Sequence, residues 1–162
     1  MIPGRPDSGG IAGYKNVHKG TMHPHLDIRV VNQLSEIERI HGLLEEFGAT
    51  HSLPDSAIFA LTLSLDEVLT NIISYGYEDA GVHEIDLGID VNGGQVVVTV
   101  SDDARAFNPL EVPEPNLDVE LEERRIGGLG IHLVRNFMNS LSYARENGRN
   151  ILTLTKSIHD EL

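Results

Sequence analysis

The spacing of apolar residues predicts alternating helical and strand periods along most of the chain. Leu26 to Val31 is a short β-prone run, after which Ser35-Glu36-Ile37-Glu38 has the spacing of a capping box. A helix follows with Ile37, Ile40, Leu44 and Phe47 on one stripe and Gly48 placed to end it. A second helix opens around Ser52-Leu53-Pro54-Asp55, carries Ile58, Leu61, Leu65, Val68 and Ile72 at helical spacing, and stops at Gly76. The period then changes to two. Ile85, Leu87, Ile89 and Val91 alternate with other residues, Asn92-Gly93-Gly94 makes a turn, and Val96, Val98 and Val100 alternate on the return, which predicts a β-hairpin.

Asp102 to Arg125 has little periodicity, three Pro, and six acids between Glu111 and Glu123, and is expected to be a long exposed loop. Loops of that length within a compact domain usually serve as lids or binding elements. Gly127-Gly128-Leu129-Gly130 opens a third helix, with Ile131, Val134, Phe137 and Met138 on its apolar face. Leu141 to Glu146 and Asn150 to Lys156, joined at Asn147-Gly148, predict a second hairpin. This order implies an α+β fold, a two-layer sandwich with helices on one face of a mostly antiparallel sheet.

Residues 1–21 hold five Gly and two Pro without apolar period, and are expected to form a flexible extension ahead of a domain spanning 22–162. The chain of 162 residues is long enough to bury one core without staples. Zero Cys removes disulfides and thiolate chemistry, and fits a reducing, cytoplasmic setting. Twelve Lys+Arg against 25 Asp+Glu give a net charge of −13 with no basic cluster, which argues against a nucleic-acid partner. No uninterrupted apolar run approaches the ~18 residues of a membrane span.

Glu67 and Asn71, four apart on the second helix, share a face, where a carboxylate and a carboxamide can orient a hydroxyl and complete a Mg²⁺ shell. Taken alone, Glu67 and Asn71 favour a solvated helix face, since Glu and Asn four apart occur by chance in many helices. Asp102, at a strand end, can accept from the amine of a purine or simply begin an Asx turn. Gly128, Leu129 and Gly130 stand at a helix N-terminus, where backbone N–H groups can meet an anion and Arg125 can add a cation. Neither the dinucleotide fingerprint nor the Gly-Lys-Ser/Thr phosphate loop is present.

In their order, these pieces resemble a known family. Leu65-Asp66-Glu67-Val68-Leu69-Thr70-Asn71-Ile72-Ile73-Ser74-Tyr75-Gly76-Tyr77 resembles the asparagine box of the anti-sigma-factor serine/threonine kinases. Asp102 to Pro109 resembles their Asp-x-Gly box, and Gly128-Leu129-Gly130 the second glycine box of the gyrase, Hsp90, histidine-kinase and MutL ATP-binding superfamily. The resemblance implies ATP and Mg²⁺ as cofactors, with Asn71 on the metal, Asp102 on the adenine amine, Gly128, Leu129 and Gly130 on the phosphates, and Arg125 near their end. It makes Glu67 the general base for a protein hydroxyl, places Arg39 at a surface for a sigma factor or its antagonist, and implies a homodimer. Two positions depart from the pattern: Ala104 replaces the glycine expected beside the nucleotide, and Tyr75 replaces a histidine. An alternative is a nucleotide-binding module that acts by gated association without transfer. A histidine kinase would need an upstream phosphoacceptor helix that residues 1–21 do not supply.

Overall fold

A computed structural model describes residues 23–116 and 128–159. The expected extension at 1–21, Arg125, and the acids of the 102–125 loop beyond residue 116 lie outside the described residues.

Five strands, β1 (His25–Val31), β2 (Glu84–Asn92), β3 (Gln95–Asp102), β4 (Ser140–Glu146) and β5 (Arg149–Ser157), form one sheet in the order β1-β2-β3-β5-β4. Every pairing is antiparallel. Helices α1 (Ser35–Thr50), α2 (Asp55–Tyr75) and α3 (Gly128–Phe137) complete the α+β sandwich expected from the sequence.

The period-two pattern sets which face is covered. Leu26, Ile28 and Val30 lie opposite Ile89, Leu87 and Ile85, and Val98 and Val100 opposite Leu154 and Leu152. These positions, with Ile40, Leu44, Leu61, Leu65 and Leu69 from the helices, form one core. Each fully buried Leu or Ile contributes about 1.5–3 kcal/mol to folding. Both two-residue hairpin turns use positive φ at each central position, at Gly93 (59°) and Gly94 (77°) and at Asn147 (50°) and Gly148 (76°). That geometry matches the twist of the flanking strands and selects Gly and Asn.

Two local expectations are corrected. Ser35 is the first residue of α1, not its cap; Leu34 is the N-cap and makes no side-chain hydrogen bond. Backbone carbonyls replace the box, Glu36 N donating to Gln33 O at 3.0 Å and Ile37 N to Leu34 O at 3.1 Å. Gly48 does not end α1 but lies buried within it, where an added Cβ would stand 2.6 Å from Cδ1 and Cγ1 of Ile58. It is a close-contact point with α2, and the chain reverses later, at Ser52 with φ 54°.

At 21 residues, α2 is long and apolar enough to cross a membrane by length and composition, although no uninterrupted apolar run suggested it. In the fold it is the central helix, packed against α1, α3 and β5. Its buried stripe holds Ala57, Ala60, Leu61, Leu65, Val68 and Leu69, and leaves Glu67 and Asn71 on another face.

Candidate nucleotide site

Where the C-terminal turns of α2 meet the end of β3 and the start of α3, the helices and the sheet enclose a cavity of about 770 Å³. That volume is in the range that takes a drug-sized or nucleotide-sized ligand. Its wall includes Asn71, Asp102, Ala104 and Gly128, residues far apart in sequence that the fold brings together.

Asp102 is 3% exposed. Its Oδ1 accepts from Ala104 N at 3.0 Å and from Asn150 Nδ2 at 2.8 Å. Burial pushes the carboxyl up from its ordinary range, against the pull of these two donors and of Arg149. The contact with Ala104 N is the Asx turn that the sequence allowed; it occupies one oxygen and leaves the residue on the cavity wall.

Asn150 is the residue that reading the sequence missed. Its Nδ2 donates to Asp102 and also to Arg105 O at 3.0 Å, while its Oδ1 accepts from Tyr143 Oη at 2.6 Å and Arg145 Nη1 at 2.7 Å. One buried carboxamide thereby joins β3, β4, β5 and the turn after Asp102. A signal was present: Asn150 occupies the same register as Leu152 and Leu154, so a polar side chain interrupts the covered face. Buried amides are retained when every group is paired, since an unpaired one costs about 1–3 kcal/mol.

Ala104 is buried, and its methyl lies against Gly76, where an added Cβ would come within 2.8 Å of it. The methyl that replaces the expected glycine therefore fills space left by a second glycine. Arg105 N donates to Gly76 O at 3.1 Å, which ties this turn to the end of α2. Beyond it, His83 contacts Asp79 at 2.8 Å and Asp103 at 3.3 Å and stacks on Tyr77 with ring centroids 4.1 Å apart.

The other end of the cavity is built from helix termini. Gly128 begins α3 and lies on the wall. Gly130 is buried and faces Glu67: an added Cβ would stand 2.0 Å from Glu67 Oε2. The absence of a side chain at Gly130 leaves room for the Glu67 carboxylate against the first turn of α3, the positive end of that helix. Glu67, Gly130 and Leu129 stand beside the wall and not on it, and Leu129 is 39% exposed. Tyr75 is on the wall and half exposed. Arg39 lies apart, donating to Glu36 Oε2 at 2.6 Å and Arg29 O at 2.8 Å.

Among the described residues, no set of three or more His, Asp or Glu side chains is grouped to hold a metal by itself. Asn71 offers one hard oxygen on the wall that Gly128 shares, which fits Mg²⁺ held by one or two protein oxygens, phosphates and water.

Residues 30–156 match the model of the histidine kinase-like ATPase domain family. The chain belongs to that family. It is 37% identical over 97 residues to the serine/threonine-protein kinase BtrW of Bordetella bronchiseptica, covering 60% of this chain and 68% of that one. Its fold is similar to the crystal structure of the RsbU and RsbW domains of Rv1364c from Mycobacterium tuberculosis, with a TM-score of 0.60, 17% identity and 83% of this chain covered. The chain spans 32% of that longer protein. The three segments singled out in the sequence lie on α2, at the end of β3 and at the start of α3.

Proposed function

We propose that this protein binds ATP with Mg²⁺ in the cavity and transfers the terminal phosphate to a Ser or Thr hydroxyl of a small regulatory protein. The observation that carries the reading is the convergence of Asn71, Asp102 and Gly128 on one wall, with Glu67 held against Gly130. A relative named as a serine/threonine-protein kinase supports it.

On this reading the adenine amine donates to the Asp102 carboxylate, which the Asn150 network orients. N–H groups at Gly128, Leu129 and Gly130 receive the phosphates, and Arg125 adds a cation. Asn71 contributes an oxygen to the Mg²⁺, which when bound supplies neutralisation of phosphate charge. Phosphoryl transfer depends mainly on positioning and charge stabilisation. Glu67 then orients the incoming hydroxyl and accepts its proton as the new oxygen–phosphorus bond forms and the bond from the terminal phosphorus to the bridging oxygen breaks, with ADP leaving. The setting we assign is cytoplasmic. The partners are a sigma factor and its antagonist, met through the helix that carries Arg39, with the protein a homodimer.

Glu67 stands off the cavity wall, which favours one second reading: a module that binds ATP and gates protein association without transfer. Incubating the protein with labelled ATP and candidate antagonists separates the two. Labelled antagonist with wild type and none with Glu67→Gln, both binding ATP, supports the kinase; ATP binding without label from wild type supports the module. Asn71→Ala should largely remove the rise in Tm that Mg²⁺-ATP gives wild type, an effect of about 2.7 kcal/mol at a hundred times Kd. An equal rise in the variant removes Asn71 from the metal.

A further inference from the structure

Arg135 lies in the last turn of α3, and none of the three boxes includes it. Its Nη2 donates to three backbone carbonyls of the loop after β3: Pro109 O at 2.9 Å, Leu110 O at 3.0 Å and Val112 O at 2.8 Å. One nitrogen carries two protons, so three acceptors share them in forked bonds strengthened by the full guanidinium charge. The carbonyls belong to a single 3₁₀ turn, Pro109–Glu111, and its C-cap Val112. Within the turn Val112 N donates to Pro109 O at 3.4 Å, and the guanidinium adds donors that a lone turn lacks.

The two ends of this contact are two parts of one wall. Pro109 and Val112 line the cavity, as do Gly128 and Ile131 from the helix that carries Arg135. The other bonds within the turn are local: Leu110 N to Asn108 Oδ1 at 3.0 Å, Glu111 N to Asn108 O at 3.1 Å and Val112 N to Pro109 O at 3.4 Å. They shape the turn without fixing its distance from α3.

We infer that Arg135 is a positioning residue that sets the Pro109–Val112 wall against the phosphate-facing start of α3, so that nucleotide meets a preformed cavity. The inference deepens the nucleotide reading and rests on it. Loss of the charge-assisted bonds that hold a binding wall is expected to cost about 10- to 100-fold in affinity.

Amide hydrogen exchange of the nucleotide-free protein and ATP titration calorimetry test it on wild type, Arg135→Ala and Arg135→Lys. In Arg135→Ala, Leu110, Glu111 and Val112 should lose protection while α2 and β3 keep theirs, and ATP affinity should fall about 10- to 100-fold. Arg135→Lys, which keeps the charge as a point-like ammonium with shorter reach, should recover part of both. Unchanged protection and affinity in Arg135→Ala would overturn the inference. So would uniform loss of protection across the sheet, since that would make Arg135 a core residue. Wild type that binds no ATP would overturn the nucleotide reading, and the exchange measurement would still judge the clamp.

Discussion

The two ends of the cavity are built on different physical terms. At the Asp102 end, strands β3, β4 and β5 meet, and the polar groups pair with one another, so the network around Asn150 is satisfied within the chain. At the Gly128 end, helix termini and glycines do the work, and the residues are placed by close contact, as Gly130 is against Glu67. The first kind of site is rigid before a ligand arrives and suits recognition of one base. The second presents backbone donors and a helix dipole, which suits charged groups whose identity matters less than their charge. Breaking the internal pairing at the first end should therefore register as lost stability, and damage to the second as lost chemistry.

The largest expected effect tests the first half of that contrast. Asn150→Leu leaves Tyr143, Arg145 and Asp102 without their shared partner and should cost about 2–4 kcal/mol in denaturant unfolding, with weaker ATP binding as a consequence. A cost below about 0.5 kcal/mol, the size of an ordinary surface substitution, would mean that the network is incidental.

Gly130→Ala addresses the other end. Ala favours a helix over Gly by about 1 kcal/mol, so unfolding should change little. The added methyl would meet the Glu67 carboxylate at 2.0 Å and displace it, so phosphate transfer should fall by about 10- to 100-fold. Full transfer in this variant would separate Glu67 from the chemistry.

His83→Gln should have the smallest effect, with a defined sign. Its hydrogen bond to Asp79, then that to Asp103, pushes the His83 imidazole up, and the bond to His83 holds Asp79 below its ordinary range. The charged contact is fully present above the unfolded carboxylate value of about 3.9 and below the unfolded histidine value of about 6.5. It is lost as pH rises through the elevated histidine value. The Tm gap between wild type and His83→Gln should thus be widest near pH 5–6, close toward pH 8, and shrink in salt. A gap independent of pH would show that the contact acts by shape alone.

The fold was largely legible because each strand alternates and each helix keeps its apolar stripe. Gly93-Gly94 and Asn147-Gly148 announced their turns through residue types that tolerate the positive φ they adopt. Gly48 misled because a glycine that permits helix contact and one that ends a helix look alike in sequence. Asn71, Asp102 and Gly128 were identifiable through order and resemblance, and the cavity brings them together. Arg135 was not, because its role rests on partners 23 to 26 residues away, which no local pattern encodes; Asn150 showed only as a polar residue on the covered face, and its partner Asp102 lies 48 residues away.

Asp102→Asn tests the central claim most directly. Asn at this position can keep Oδ1 as the acceptor for Ala104 N and Asn150 Nδ2, while an amide donor replaces Oδ2. Burial raises the Asp102 carboxyl, so at neutral pH the ionised group opposes folding, and the neutral amide removes that penalty. The nucleotide-free variant should therefore melt at or above the wild-type Tm, while ATP affinity by calorimetry falls about 10- to 100-fold because two donors face each other. Wild-type ATP affinity in Asp102→Asn would contradict the account.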